Sequence, residues 1–138
     1  MIFNALKTDG GHAFTGKIVF NELTLNEGNG MKSDGFVAPV NGYYKFSFSA
    51  MSGCKKWGHF TYVQVLKNEL WEFSIADSNN GKWRDGNNMS HDWIWKLNMG
   101  DKVSFSVQPV IRDDYQCYLR ASPLLPVNFN GHLLSVEN

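Results

Sequence analysis

The stretch from Phe36 to Ala50 constrains the fold more than any other part of the chain. It begins with a short apolar segment, Phe36-Val37-Ala38-Pro39-Val40, and turns at Asn41-Gly42. It continues as Tyr43-Tyr44-Lys45-Phe46-Ser47-Phe48-Ser49-Ala50. Side chains of an extended chain alternate between two faces, so Tyr44, Phe46, Phe48 and Ala50 fall on one face. Tyr43, Lys45, Ser47 and Ser49 fall on the other. Strict period two with aromatics on one side predicts a half-buried strand.

The same pattern recurs. Val103, Phe105 and Val107 alternate with Ser104, Ser106 and Gln108, one face dry and one wet. Trp71, Phe73 and Ile75 are predicted to share a face, as are Trp93, Trp95 and Leu97. Turn-forming clusters such as Asp9-Gly10-Gly11, Asn26-Glu27-Gly28-Asn29-Gly30, Asn79-Asn80-Gly81 and Met99-Gly100-Asp101 separate these runs. No stretch keeps a helical period. Short strands between regular turns predict an antiparallel sandwich or barrel.

The last run differs from the others. Alternation puts Phe129 and Leu133 on one face and Leu134 and Val136 on the other. One apolar face would pack on the opposite sheet. The second needs another cover, either a neighbouring subunit or a loop of the same chain.

Size and charge narrow the function. The 138 residues fit one domain, 1–138, and suffice for a real core. Thirteen basic and thirteen acidic side chains cancel, which removes the electrostatic footprint of a nucleic-acid binder. No apolar run approaches the ~20 residues that span a bilayer, so no membrane insertion is expected. Met1-Ile2-Phe3-Asn4-Ala5-Leu6-Lys7 lacks the pattern of a secretory leader, which leaves a leader either already removed or never present. Cys54 and Cys117 admit one disulfide or two free thiols. Asn88-Met89-Ser90 fits a glycosylation sequon and would suit a surface loop.

Within this frame the chain resembles the globular C1q domain of the C1q and tumour-necrosis-factor-like superfamily. Phe36, Gly42, Tyr44, Phe46 and Phe48 keep the spacing of the family's strongest motif. Val19-Phe20-Asn21 through Asn26, Phe36-Val37-Ala38-Pro39-Val40, Val63-Gln64-Val65-Leu66-Lys67-Asn68, Leu97-Asn98-Met99-Gly100-Asp101-Lys102-Val103 and Phe129-Asn130-Gly131-His132-Leu133-Leu134 are similar to further family segments, in family order. The resemblance runs from Ile18 to Val136. It departs at Met31, where the family usually has an aromatic, and in a shorter loop from Asn26 to Phe36. No collagen-like Gly-x-y repeat precedes it. It implies an all-β, two-sheet antiparallel jelly-roll sandwich of about ten strands, secreted and assembled as a homotrimer. The closing strand would lie beside the threefold axis, making Phe129, Leu133, Leu134 and Val136 trimer contacts.

Catalysis finds little support. No nucleophile elbow, phosphate-binding loop or zinc-protease motif is present, and His12, His59, His91 and His132 are scattered. The non-enzymatic reading is a glycan or microbial-surface recognition module. In Ala76–Asn88, Trp83 stands among Asn79, Asn80, Lys82, Arg84 and Asp85. An indole face can stack on a pyranose while amides and carboxylates bond its hydroxyls. Arg84 and Lys82 could instead hold an anionic group. Against this, Trp83 could fold back over the sandwich edge and leave an ordinary solvated loop. A second candidate is Lys56 and Trp57 in Cys54–His59, equally open to reading as a plain turn with a half-buried indole. A Cys54–Cys117 bridge would bring that loop beside Tyr115. Asp113 and Asp114 could supply oxygen ligands to calcium, which some members of the resembled family hold, or simply form a hydrated turn. The alternative function is a TNF-like ligand or extracellular-matrix module binding protein partners between subunits.

Overall fold

The computed structural model describes residues 1–54, 61–76, 84–108, 110–112 and 115–137. Side chains at 11–14, 53, 54, 84–87, 110–112 and 115–117 lie outside the description. Every regular element among the described residues is a strand. In chain order they are β1 (Ile2–Lys7), β2 (Gly11–Phe14), β3 (Gly16–Lys17), β4 (Glu22–Glu27), β5 (Met31–Lys32), β6 (Gly35–Val37) and β7 (Gly42–Cys54). There follow β8 (Tyr62–Lys67), β9 (Leu70–Ala76), β10 (Arg84–Leu97), β11 (Lys102–Val107), β12 (Val110–Arg112), β13 (Tyr115–Ala121) and β14 (Val127–Val136).

Two antiparallel sheets form a sandwich. The large sheet is built on β7, the strand of the aromatic alternation. β10 pairs along one edge of β7. The other edge pairs with β14 from Gly42 to Ser49 and with β13 from Met51 to Cys54. β14 continues to β1 and then β4, while β13 carries β12 and β2. The small sheet runs β5-β6-β11-β8-β9, with β3 on β11. Both termini lie at the Gly42 end: Leu133 N donates to Met1 O, and Glu137 N donates to Asn41 O.

The inward faces supply the core. Tyr44, Phe46 and Phe48 from β7 and Val103, Phe105 and Val107 from β11 are buried, as alternation predicts. Leu97 is buried, and Trp93 and Trp95 pack against the core beside Phe73. Phe129 sits at the centre with no exposed surface. Its ring contacts Phe3, Phe20, Phe46 and Phe105 at centroid distances of 5.0, 5.8, 5.7 and 4.6 Å.

The glycines of the two family motifs are there for space. A Cβ on Gly42 would come within 2.5 Å of Ser135 O and 2.9 Å of Leu133 Cδ1. One on Gly131 would meet Phe46 Cδ1 at 2.8 Å, and Lys45 O and Phe3 Cε1 at 2.9 Å.

Two bulges overturn readings made from alternation alone. In β9, Phe73 pairs with Val65 but Trp71 pairs with Leu66, so Glu72 is the extra residue. Trp71 therefore leaves the face of Phe73 and Ile75 and is 63% exposed. In β14 the register shifts between Leu133 and Ser135. Before the shift, the outward residues are Asn128, Asn130 and His132, which are polar. The strand is thus not apolar on both faces; the inserted Leu134 only imitates that pattern. Phe129 is buried within its own chain, and Leu133 packs on the core. Leu134 and Val136 are exposed.

Candidate functional site

The sheet pairing gathers the sequence candidates at one end of the sandwich. Residues 55–60 follow the end of β7 at Cys54, and residues 77–83 precede the start of β10 at Arg84. Arg84 is the cross-strand partner of Cys54. On the other side of β7, Cys117 also pairs with Cys54. Arg112 pairs with Tyr115, the residues on either side of 113–114. In the small sheet Tyr62 pairs with Ala76, which brings the far ends of the first two segments together. The buried Thr61 Oγ1 donates to Tyr118 O at 3.0 Å and ties that sheet to β13. All three candidate segments thus emerge at the Cys54 end, away from both termini.

Of the individual residues, Lys56, Trp57, Asn79, Asn80, Lys82, Trp83, Asp113 and Asp114 lie outside the described residues. Arg84 and Asp85, expected in a loop, are the first residues of β10, and Tyr115 is the first of β13. Asn88, expected on a loop, is an exposed strand position opposite Met51. The extra length of β10 comes from pairing with β7 through a register irregularity between Arg84 and Asn87. A polar composition alone does not signal such pairing.

Among the described residues no group of three or more His, Cys, Asp or Glu side chains could hold a metal. His91 stacks on Trp93 at 5.8 Å. His132 lies on the outer face of the large sheet, between Lys45 and Ile2 in register.

That outer face is the second feature of the site. Ile2, Tyr43 and Ile94 point outward from β1, β7 and β10 and are exposed, and Leu25 joins them from β4. Between them a chain of hydrogen bonds crosses the strands. Asn130 Nδ2 donates to Asn128 Oδ1 at 2.7 Å, and Asn128 Nδ2 donates to Asn4 Oδ1 at 2.9 Å. Asn4 Nδ2 donates to Thr24 Oγ1 at 2.7 Å. Ser47 Oγ donates to Asp92 Oδ1 on the neighbouring strands. At the terminal end Lys96 pairs with Glu137 at 3.0 Å and lies 5.9 Å from the Tyr43 ring centroid. The hydrogen bond to Glu137 raises the Lys96 pKa.

A further ionic cluster locks the loops at the terminal end of the small sheet. Lys102 Nζ contacts Asp34 at 2.8 Å and Glu69 at 3.2 Å. The hydrogen bond from Lys102 holds the Asp34 carboxyl below its ordinary range. Desolvation pushes Asp101 up, but hydrogen bonds from Asn68 Nδ2 and Asn98 N outweigh it and leave its pKa lowered.

Two antiparallel sheets packed as a jelly-roll sandwich give this chain the fold of the C1q and TNF-like class. The C1q domain model matches residues 2–134, and the chain belongs to the C1q domain family. This is a family of recognition modules rather than enzymes. The globular domain of zebrafish complement 1qA protein is similar in fold at a TM-score of 0.69 and 18% identity, covering 99% of this chain and 98% of that one. Murine APRIL, in a crystal structure at pH 8.5, is similar at a TM-score of 0.65 and 14% identity, covering 96% and 98%. No curated protein matches the chain in sequence. No helix among the described residues is long and apolar enough to cross a membrane.

Proposed function

We propose that the chain is a secreted, homotrimeric C1q-domain protein that recognises glycans or microbial surface patterns without catalysing a reaction. The observation that carries this reading is that the strand ends flanking residues 55–60, 77–83 and 113–114 lie together at the Cys54 end of the sandwich. In sequence these segments hold Lys56 and Trp57, then Asn79, Asn80, Lys82 and Trp83 before Arg84 and Asp85, and Asp113 and Asp114 before Tyr115. Indoles, amides and charges supply stacking and hydrogen bonding for sugar rings and their substituents. Calcium at Asp113 and Asp114 belongs to the same proposal, since adjacent carboxylates offer the oxygen donors this ion takes.

Assembly uses the outer face of the large sheet. Its exposed Ile2, Leu25, Tyr43 and Ile94 are apolar surface that a neighbouring copy would cover. The hydrogen-bonded Asn4, Asn128 and Asn130 would enter such a contact with partners already in place. Three weak sites on one rigid head gain strength through effective concentration. The test is a glycan array probed with the assembled protein, with and without a calcium chelator. Binding that weakens in Trp83→Ala or Trp57→Ala supports the reading. Silence on every glycan, together with tight binding to a protein receptor, overturns it.

A second reading, a TNF-like ligand or matrix module, draws support from the turn before β14. Ser122 and Leu125 exchange backbone hydrogen bonds there at 3.2 Å, and Leu124 stands 92% exposed. An exposed apolar side chain on a hydrogen-bonded turn suits a protein partner. That reading predicts loss of partner binding in Leu124→Asp with Trp83→Ala harmless.

A further inference from the structure

The bulge at Glu72 creates a surface feature that the loop cluster does not include. Trp71 faces outward from the small sheet opposite Leu66 and exposes most of its ring. Its Nε1 donates to Ser74 Oγ at 3.1 Å. The polar edge of the indole is therefore satisfied within its own strand, and the ring is held in place. Preorganisation of this kind lowers the entropy cost of binding.

Register continues the row across the sheet. Ser74 pairs with Gln64, and Gln64 pairs with Ser106 on β11. Gln108 Nε2 donates to Gln64 Oε1 at 3.0 Å and approaches Ser106 Oγ at 3.4 Å. That bond orients both amides. It leaves the Gln64 amide N–H groups as donors and Gln108 Oε1 as an acceptor. The half-buried Gln64, Ser106 and Gln108 keep part of their surface in solvent. From Trp71 to Gln108 the row is an aromatic ring followed by neutral donors and acceptors.

We propose that Trp71, Ser74, Gln64, Ser106 and Gln108 form a glycan-binding platform for a neutral pyranose on the outer face of the small sheet. The C–H face of the sugar stacks on the Trp71 ring, and its hydroxyls bond the Gln64 and Gln108 amides. The five side chains carry no charge, and Lys17, the register partner of Ser106 on β3, is paired with Asp34 at 3.6 Å, so the row favours a neutral hexose or N-acetylhexosamine over a sialylated glycan. The platform lies on the opposite sheet from Tyr43 and Ile94, so covering the large sheet leaves it open. This inference rests on the glycan-recognition reading but places a site away from the Cys54 end.

The test uses the whole chain on an array carrying neutral and sialylated oligosaccharides, with circular dichroism confirming that each variant is folded. Wild type is expected to bind neutral glycans. Trp71→Ala should weaken that binding about tenfold, the loss of one stacking contact. Trp71→Phe keeps a stacking face and should retain most of it, and Gln64→Ala should weaken it by a smaller factor. Neutral-glycan binding that survives Trp71→Ala but falls in Trp83→Ala would sink the platform while keeping glycan recognition at the loops. Binding of sialylated glycans or a protein alone would also overturn the platform. Silence on every glycan would remove both.

Discussion

Phe129 and Phe105 meet edge to face, with ring centroids 4.6 Å apart and planes at 75°. One ring belongs to β14 of the large sheet and the other to β11 of the small sheet, so the contact joins the two layers at their centre. Phe129→Ala would open a cavity among Phe3, Phe20, Phe46 and Phe105. The expected cost is about 3–5 kcal/mol, read as a lower denaturation midpoint with an unchanged m-value. Phe129→Leu should cost less than half as much. Equal stability of Phe129→Ala and wild type would contradict this packing.

Gly131→Ala tests a family-motif position on steric grounds alone. The added methyl would press on Phe46, Phe3 and the Lys45 carbonyl, and the backbone oxygen has little freedom to move. Overpacking of this kind costs about 1–3 kcal/mol. Thermal melting should show the loss, and it should be smaller in a Phe46→Leu background, where part of the space is freed.

Acid should loosen the loop lock before the core. Asp34 and Asp101 both have folded-state pKa values below the ordinary 3.8. Below that value the unfolded chain binds protons that the folded chain does not, so stability is present above pH ~4 and is lost as pH falls through the depressed values. Lys102 has a raised pKa, with its hydrogen bond to Asp34 the largest cause. Its contribution is present below 10.5 and disappears as pH rises through the raised value. Chemical denaturation across the acid range should show a shallower loss in Asp101→Asn than in wild type. Identical slopes would exclude the Asp101 carboxyl as a source.

Cys54 and Cys117 are direct cross-strand partners. Antiparallel partners have Cα atoms about 4.5–5.5 Å apart, within the span a disulfide accepts. The oxidised protein is therefore expected to carry one bridge and no free thiol by mass spectrometry. Reduction should lower stability by about 4 kcal/mol for a closed loop of this length. Two alkylatable thiols in non-reduced protein would refute the pairing.

The proposed assembly through the large sheet would make Ile94 a sensitive position. It is 57% exposed in the single chain, so a change there leaves the core alone. Ile94→Arg should shift light scattering from three chains to one while the circular dichroism spectrum stays the same. A wild-type protein that is already monomeric would end the avidity argument.

By itself the sequence determined which side chains point inward over most of the sandwich. Side-chain alternation is a local property of an extended backbone, and it placed Tyr44, Phe46 and Phe48 against Val103, Phe105 and Val107. The family motifs were legible for the same reason, since Gly42 and Gly131 occupy sites where a Cβ has no room. Tertiary structure decided the rest. A bulge exists only relative to a partner strand, so the sequence of β9 could not reveal that Trp71 leaves the core, nor that of β14 that Leu134 is an insertion. The gathering of three distant segments at the Cys54 end likewise depends on which strands lie beside β7. Pairing between residues far apart in the chain is set by the packing of the whole sandwich, and no local pattern encodes it.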